Sequence, residues 1–220
     1  MARGRAAGYD DQRQAILDQA AQLFARHGYS ATSMNQVAES CGLSKATLYH
    51  YFRDKYSMLV SIADGHVSHL QALVQEPATA GATSRQRLEQ LIHRIVAAYA
   101  DAEHAHRVLT EDVRFLEPQD QARVLDKERQ VVAVFARAVA AVRPELDETG
   151  LAKPLTMLLF GMINWMFTWM KADGALTHEA MAPIVADLFL GGLPAVSSQR
   201  GPAPRNGRKS PTRQSGVALR

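Results

Sequence analysis

The chain has 220 residues, 47% of them hydrophobic and 21% charged, with a formal net charge of +3, which is typical of a globular protein with a sizeable core. Its single cysteine, Cys41, excludes an intrachain disulfide and any metal site built from several cysteines, and neither a metal nor a cofactor is expected. Lys and Arg number seven against five Asp and Glu over residues 1–60, 12 against 17 over 61–194, and six against none over 195–220, so the two basic ends suit a polyanionic partner.

Residues 1–9 are predicted to form a flexible basic arm, because they include Arg3 and Arg5 and contain no apolar run. The same segment lacks the pattern of a secretion signal, which predicts a cytoplasmic protein. Asp10 is the candidate N-cap of a first helix, and Gly28 is a typical residue just beyond the C-terminus of such a helix.

Two short helices joined by a tight turn are predicted next, which is the pattern of a helix-turn-helix. Ser33 and Gln36 have the spacing of a capping box at the start of the first helix. Gly42 tolerates the positive φ that the turn needs, and Ser44 is the candidate N-cap of the second helix. Residues 10–56 are therefore predicted to be a DNA-binding domain.

The outward side chains of the second helix are polar, aromatic and basic groups that suit the major groove of DNA. Lys45, beside the free amides of the helix N-terminus, is predicted to hold phosphate. Thr47 and His50, with apolar help from Ala46, are predicted to contact base edges. The full set of predicted DNA-binding residues is Thr32, Ser33, Ser44, Lys45, Ala46, Thr47, Tyr49, His50, Tyr51 and Lys55.

Six further helices are predicted, and the abundance of Ala and Leu predicts an all-α fold. The expected ranges are 55–74 with Asp54 as N-cap, 84–103, 107–115, 118–142, 154–170 and 177–190, with a linker at 77–83 and a turn at Asp173-Gly174. Pro183 predicts that the last helix is either kinked or starts later than Thr177. Residues 57–194 are predicted to bind a ligand and dimerise. Residues 195–220 are predicted to be a disordered basic tail, either simply solvated or assisting DNA binding.

The helix at 154–170 is apolar almost all round, which predicts that every one of its faces is buried. Its apolar stretch is shorter than the roughly 20 residues of a membrane span, and no span is expected. One face is expected to meet a partner subunit and another to line a cavity. Trp165 and Trp169 share a face. The amide of Asn164 needs a hydrogen-bond partner, which is either a neighbouring helix or a ligand.

The last predicted helix carries an apolar stripe at helical spacing. Together with the preceding helix it is expected to form a four-helix bundle with the same two helices of a second copy, so a homodimer is predicted. The predicted interface residues are Met181, Ile184, Val185, Leu188 and Phe189.

The N-terminal sequence resembles that of the TetR-type regulators. The resemblance begins at Ile16-Leu-Asp-Gln-Ala-Ala-Gln-Leu-Phe24, continues through Val37-Ala-Glu-Ser-Cys-Gly-Leu-Ser44, and is most specific at Lys45-Ala-Thr-Leu-Tyr-His-Tyr-Phe52. It implies an all-helical homodimer, usually a repressor. It also implies that a small ligand in the C-terminal domain moves the helix at 55–74 and spreads the two DNA-reading heads.

The C-terminal sequence resembles the branch of these regulators that senses acyl- or aryl-coenzyme A thioesters, and in particular the repressors of phenylacetate degradation. The resemblance lies in Phe160-Gly-Met-Ile-Asn-Trp-Met-Phe-Thr-Trp169 and in Asp173-Gly-Ala-Leu-Thr-His-Glu-Ala-Met-Ala182. Lys171-Ala172 stands where that branch has Arg-Pro, which keeps a cation and loses the proline. Pro183 is a second departure.

A coenzyme A thioester needs an apolar pocket for its acyl group and cations for its phosphates. Arg107 and Arg114 are candidate cations, as are Arg137 and Arg143, and each is alternatively the partner of a surface carboxylate. The predicted ligand-binding residues are Tyr99, Arg107, Arg114, Phe115, Phe160, Gly161, Asn164, Trp165, Thr168 and Trp169.

The predicted function is that of a dimeric repressor of a catabolic pathway, released from a palindromic operator by a coenzyme A thioester and most specifically by phenylacetyl-CoA. The alternative is a TetR-type regulator of drug efflux that senses an apolar or cationic compound. A cation sensor needs buried acids, and the segment 155–170 has none. An enzyme is not expected, because the sequence has no persuasive nucleophile–base pair, metal cluster or phosphate loop.

Overall fold

A computed structural model describes residues 2–170 and 176–197, and nothing is stated about the side chains of residues 2–7. All the regular secondary structure in this part of the chain is helical, which confirms the predicted fold class. The α-helices are α1 (Ala2–His27), α2 (Met34–Ser40), α3 (Lys45–Tyr51), α4 (Lys55–Gln75), α5 (Ser84–Asp101), α6 (Glu103–Asp112), α7 (Pro118–Val142), α8 (Glu145–Glu148), α9 (Ala152–Trp169) and α10 (His178–Gly192). Short 3-10 turns follow α6 (Val113–Phe115) and α10 (Leu193–Ala195).

The helix-turn-helix forms where the capping signals predict it. Ser33 and Gln36 make the reciprocal bonds of a capping box at the start of α2, and the Ser44 hydroxyl accepts from the Thr47 amide at 3.1 Å at the start of α3. Gly42, in the turn, has a φ of 64°, a left-handed value that costs glycine little and other residues more.

Four features differ from the sequence-based expectations. Helix α1 begins at Ala2, so the arm predicted at 1–9 is helical and Asp10 is not an N-cap, in keeping with an Ala- and Arg-rich start. Helix α9 begins at Ala152, two residues before Pro154. The helix predicted at 107–115 instead spans Glu103–Asp112 as α6. Helix α10 is capped by Thr177 as predicted and continues through Pro183, which excludes the alternative of a later start.

The short helix α8 was not predicted. Two predicted features lie outside the described residues, namely the turn at Asp173-Gly174 and residues 198–220 of the tail. Residues 193–195, where the predicted C-terminal domain ends and the tail begins, form a 3-10 turn.

The buried side chains form two clusters. One lies between α1, α2, α3 and the first half of α4, and it also takes in Val108 and Leu109 of α6 and Val124 of α7. The other lies between the second half of α4 and helices α5, α7, α9 and α10, around Phe135 and Ile163. The core of the DNA-binding domain therefore extends beyond the helix-turn-helix into the C-terminal helices.

Helix α4 is joined to α7 by polar contacts along its length. The Tyr56 hydroxyl donates to Asp120 at 2.7 Å near the start of α4. Further along, Asp64 accepts from Lys127 at 2.7 Å and from Arg123 at 3.1 Å. These bonds tie α4, which follows directly on α3, to the C-terminal half of the chain. Among the described helices, α4 included, we find no stretch long and apolar enough to cross a membrane.

Candidate DNA-reading surface and ligand cavity

Helix α3 presents one exposed surface, the reading face, formed by Lys45, Ala46, Thr47, Tyr49 and His50. Its inner side holds Leu48, which is fully buried in the N-terminal core and fixes the helix in place. The Lys45 ammonium lies 5.9 Å from the centre of the Tyr49 ring. The ammonium and the phenol thus lie close together on a surface that is open to a groove of DNA.

Ser33 and Ser44 are also exposed, but each hydroxyl already serves as a helix cap. Ser44 additionally bonds the hydroxyl of Thr47 at 2.8 Å. These hydroxyls keep the start of each helix well formed and remain accessible at its edge.

Tyr51 differs from the other predicted DNA-binding residues of α3 because its ring is half-buried and stacks on Tyr9 of α1, with ring centres 4.7 Å apart. The edge of the His50 ring also contacts Tyr9, at 6.1 Å. The sequence analysis did not identify Tyr9, because the contact joins residues more than forty positions apart. Tyr9 therefore packs against the C-terminal end of α3, next to the reading face.

Thr32 and Lys55, two of the residues predicted to contact DNA, are engaged in hydrogen bonds within the protein. Thr32 is 2% exposed and its hydroxyl donates to the Gly28 carbonyl at 3.0 Å. The Lys55 ammonium donates to the carbonyls of Tyr29 at 2.6 Å and Thr32 at 2.7 Å, and also to that of Ser30. The loop between α1 and α2 leaves these carbonyls without helical partners. The Lys55 ammonium donates its hydrogens to them rather than to a phosphate.

The contrast between the two lysines predicts different consequences of removing each charge. Lys45→Ala should lower the slope of log affinity against log salt for DNA binding by about one unit, because one phosphate contact is lost. Lys55→Met should leave that slope unchanged and lower the free energy of unfolding by about 2 kcal/mol, because buried carbonyls lose a charged donor.

Fluorescence anisotropy with an operator selected in vitro from random DNA, measured over a range of salt concentrations, gives the slopes. Urea unfolding gives the stabilities. A Lys55 variant with the reduced slope and unchanged stability would contradict this assignment.

Helix α9 has three distinct faces. The first, with Leu159, Ile163 and Met166, is buried in the C-terminal core. The second faces a cavity. The third is exposed and apolar, with Leu158 at 65% and Trp165 at 67% exposure. The sequence-based expectation of one face toward a cavity and another toward a partner agrees with this arrangement.

A mainly apolar cavity lies between α4, α5, α6, α7 and α9 and has a volume of about 710 Å³. We call it the main cavity. Its apolar lining includes Leu70, Val132, Met157 and Phe160, so most of its wall suits an apolar ligand. Three predicted ligand-binding residues, Tyr99, Phe160 and Asn164, line it.

A smaller side cavity of about 380 Å³ lies between α6 and α9. Four other predicted residues line it, namely Arg107, Gly161, Trp165 and Thr168. Its lining shares His106, Thr110 and Asn164 with that of the main cavity, so the two spaces adjoin at these three residues. Arg107 is exposed and paired with Glu111 at 2.9 Å.

Three predicted ligand-binding residues line neither cavity. Helix α6 ends at Asp112, and the following 3-10 turn carries Arg114 and Phe115 toward the helix-turn-helix, where Phe115 lies 5.5 Å from the Tyr29 ring. Trp169 lies at the exposed end of α9, half exposed. Arg143, an alternative cation, donates to the carbonyls of Leu193 and Val196 and pairs with Glu145, so its role is structural.

The main cavity has a cationic end. Helices α7 and α9 pack against each other after a short connection and are therefore antiparallel. This places Arg137, near the end of α7, and Lys153, near the start of α9, at the same end of the cavity, and both side chains are exposed. Arg137 was an alternative candidate in the sequence, whereas Lys153 was missed because it stands alone beside a proline.

The opposite end of the main cavity is polar, and we call it the polar end. It carries His106 of α6, Asn164 of α9, and Glu128 and Arg129 of α7. Burial raises the pKa of the Glu128 carboxyl. Although α9 has no acidic residue, the cavity as a whole therefore does have one. The sequence analysis did not select Glu128, because the periodicity of α7 does not indicate which face of the helix lines a cavity.

His106 also contacts His66 of α4, whose Nε2 lies 3.4 Å from the Nδ1 of His106. Burial lowers the pKa of His66 to about 4 and that of His106 to about 3. Both rings are therefore neutral at ordinary pH. The pair joins the lining of the cavity to the helix that follows the reading face.

The exposed apolar face of α9 continues onto α10. This outward apolar face consists of Leu158, Met162, Trp165, Trp169, Ile184 and Leu188. Of the predicted interface residues, only Ile184 and Leu188 belong to it. Val185 and Phe189 are 4% and 8% exposed and belong to the subunit's own core, against which Met181 also packs. The apolar stripe predicted from the sequence is wider than one face of α10, so it includes residues of the outward apolar face and residues of the core.

Residues 16–62 match the family described as "Bacterial regulatory proteins, tetR family", and residues 81–193 match "Tetracyclin repressor-like, C-terminal domain". The transcriptional repressor KstR2 of Rhodococcus jostii (strain RHA1) is 34% identical over 189 residues, which is 84% of this chain and 93% of that protein. The family prediction is confirmed. The prediction of a phenylacetate-degradation repressor is not, because this relative is a KstR-type repressor.

Two solved structures share the fold. A TetR-family transcriptional regulator from Bordetella parapertussis 12822 is 33% identical, with a TM-score of 0.77, and the match covers 84% of this chain and 97% of that one. AibR in complex with isovaleryl coenzyme A and operator DNA is 23% identical, with a TM-score of 0.67 and coverage of 80% and 97%. The second likeness concerns the fold alone.

Proposed function

Because the chain belongs to the TetR family of transcriptional regulators, we propose that it is a cytoplasmic, homodimeric repressor that binds a palindromic operator and is released by a coenzyme A thioester. The observation that carries the ligand class is the main cavity, whose apolar wall ends at two exposed cations, Arg137 and Lys153. An acyl group suits the wall, and the phosphates of coenzyme A suit the cations.

A groove beside the cationic end supports the same ligand class. The groove has a volume of about 500 Å³ and is lined by Arg87, Arg94 and Arg137, so Arg137 belongs to both the groove and the main cavity. Arg94 is engaged with the Glu76 and Pro77 carbonyls. A chain of phosphates leaving the cavity would thus meet further positive charge.

The route from ligand to DNA runs through α6. Leu109 lines the main cavity and also packs in the N-terminal core, and Val108 beside it is fully buried there. Helices α6 and α1 are in direct contact. A ligand that shifts α6 therefore also biases the position of the DNA-reading domain, provided that it binds the two positions with different affinity.

One protein of the same fold binds a ligand of this class. AibR is described as a complex with isovaleryl coenzyme A and operator DNA. Phenylacetyl-CoA remains one member of the class to be tested.

The competing ligand class is a cationic drug, and the Glu128 carboxyl is the observation that favours it. Because burial raises the pKa of this carboxyl, its ionised form is less stable there than in water. The exposed cations at the other end of the cavity repel such a ligand.

A ligand panel tests the proposal. Isovaleryl-CoA, phenylacetyl-CoA and longer acyl-CoA thioesters should raise the melting temperature and release the operator, whereas free acids, free coenzyme A and cationic drugs should not. In the double variant Arg137→Gln, Lys153→Gln, thioester affinity should fall about tenfold or more, because charge-assisted bonds to phosphate are lost. Arg26→Gln, which removes an exposed arginine of α1 outside both cavities, is the control. Activity of the drugs alone would overturn the ligand assignment.

A further inference from the structure

The length of the main cavity places the nucleotide part of coenzyme A outside it. Along α9, Asn164 at the polar end lies 11 residues after Lys153 at the cationic end, which corresponds to about 16 Å at 1.5 Å per residue. The extended pantetheine arm of coenzyme A has about this length. With the diphosphate at Arg137 and Lys153, the arm fills the cavity, and the adenosine with its 3′-phosphate lies on the surface beyond the cationic end.

The surface beyond the cationic end is the groove that shares Arg137 with the main cavity, and we call it the linker groove. It lies between the linker at residues 77–83, helix α5 and the second half of α7. The linker side chains are small, and a Cβ added to Gly81 meets no atom within 4 Å beyond its chain neighbours. A second groove of about 640 Å³ adjoins it at residues 79–81 and at Arg94. There is thus room for a group as bulky as a nucleoside.

The linker groove is positively charged. Arg87 and Arg94 lie two helical turns apart on α5 and share a face, and Arg137 lines the groove from α7. One carboxylate also lines it, that of Glu76, which lies 3.8 Å from the Arg94 guanidinium. Three arginines against one glutamate leave a net charge of +2 in the lining, which favours an anionic ligand.

The arginines are held in place but keep free donors. Arg87 donates through Nε to the Ala82 carbonyl at 3.0 Å. Arg94 donates from its two terminal nitrogens to the carbonyls of residues 76–77, each at 3.1 Å. A guanidinium has five N–H donors, so at least three remain on each of these two side chains. Arg137 makes no hydrogen bond or ion pair within the described part of the chain.

We propose that the linker groove binds the 3′-phosphate of the adenosine of coenzyme A through Arg87 and Arg94. This phosphate is a monoester and carries about two negative charges at neutral pH. Guanidinium groups fixed on one side by backbone carbonyls offer paired N–H donors to its oxygens. The protein therefore distinguishes a coenzyme A thioester from the same acyl group on a carrier that lacks the monoester.

The phosphate site rests on the proposed function for its ligand class, and the probes are chosen to separate the two. Isovaleryl-CoA and phenylacetyl-CoA are each compared with the 3′-dephospho analogue, which differs only in the monoester. Binding is measured by titration calorimetry on the full chain in phosphate-free buffer. Adenosine 3′,5′-bisphosphate and adenosine 5′-monophosphate differ in the same group and have no thioester. They lack the apolar contacts and bind weakly, so saturation-transfer difference NMR at millimolar concentration detects them.

The wild-type protein should bind each thioester at least tenfold more tightly than its 3′-dephospho analogue, because the analogue loses charge-assisted bonds. The double variant Arg87→Gln, Arg94→Gln should bring that ratio to near one. The ratio, rather than the affinity itself, is the readout, because Arg94→Gln also removes bonds to the linker carbonyls.

A second variant leaves both arginines in place. Ala141→Glu puts a carboxylate at an exposed position of α7 that lines the groove, and it should lower the ratio by repelling the monoester. Ala122→Glu adds the same charge at an exposed position of the same helix outside the groove. It is the matched control and should keep the wild-type ratio.

The possible results separate the two hypotheses. If the bisphosphate binds and neither the monophosphate nor any thioester does, the thioester function fails and the phosphate site stands. If wild type binds the thioesters and their 3′-dephospho analogues equally, the function stands and the phosphate site is overturned. It is also overturned if Ala141→Glu and the double arginine variant keep the full ratio, and both hypotheses fail if no probe binds. Thermal melting of each variant establishes that it is folded.

Discussion

The double variant Leu158→Glu, Leu188→Glu should be monomeric and should bind the operator roughly 10²- to 10⁴-fold more weakly than the wild-type protein, because the two reading heads no longer act on one DNA site together. The two leucines are 65% and 66% exposed in the single chain and lie on the outward apolar face of α9 and α10. Monomeric proteins rarely expose a contiguous apolar surface of this kind. In a two-fold symmetric interface each substitution occurs twice, so four carboxylates would be placed in the contact.

Sedimentation velocity gives the oligomeric state, and anisotropy with the selected operator gives the affinity. The matched control is Ala72→Glu, Ala97→Glu, which adds the same charge at two exposed helical positions outside the outward apolar face. It should remain dimeric. A dimeric Leu158→Glu, Leu188→Glu variant with wild-type operator affinity would show that this face is not the interface.

The local features of the fold could be predicted from the sequence because their causes are local. The N-caps Ser33, Ser44 and Asp54 each bond to an amide three residues later, so the signal and its effect lie within a single turn. The reading face follows from the same caps together with Leu48, since fixing one side of a seven-residue helix determines which side is exposed.

The lining of the cavity could not be predicted in the same way, because it depends on contacts between distant helices. His66 and His106 are 40 positions apart and come together only when α4 packs on α6. Arg114 follows Arg107 at helical spacing in the sequence, but the helix ends between them and the two side chains diverge. The Lys55 ammonium is a phosphate candidate until the fold places three carbonyls around it.

Helix α9 shows where sequence reasoning was sufficient and where it was not. Its apolar composition predicts contacts on every side, and in the single chain the outward apolar face remains exposed. Composition does not distinguish Trp165, on the outward apolar face, from Ile163, in the core. That distinction depends on which neighbouring helix covers each side.

Acidification should destabilise the protein through its two buried imidazoles. Burial lowers the pKa of His66 to about 4 and that of His106 to about 3, whereas both titrate near 6.5 in the unfolded chain. Below pH 6.5 the two imidazoles bind protons in the unfolded chain but not in the native protein. The free energy of unfolding therefore falls as the pH is lowered from 6.5 toward the native-state pKa values. The loss is about 1.4 kcal/mol per pH unit for each imidazole, or about 2 kcal/mol each at pH 5.

Two carboxyls oppose this trend. Burial raises the pKa of Asp112 and that of Glu128, so the native state binds their protons more readily and gains stability as the pH falls. The net slope in the wild-type protein is therefore smaller than the histidine contribution alone. Comparison of variants at matched pH removes the carboxyl contribution, because it is common to all of them.

Urea unfolding at pH 7, 6 and 5 should therefore show a shallower loss of stability in His66→Gln and in His106→Gln than in wild type, whatever their stability at pH 7. His104→Gln is the matched control, since His104 is exposed on the same helix as His106 and is hydrated in both states. It should keep the wild-type slope. Equal slopes in all four proteins would mean that His66 and His106, 3.4 Å apart, take up protons in the native state as readily as in the unfolded chain.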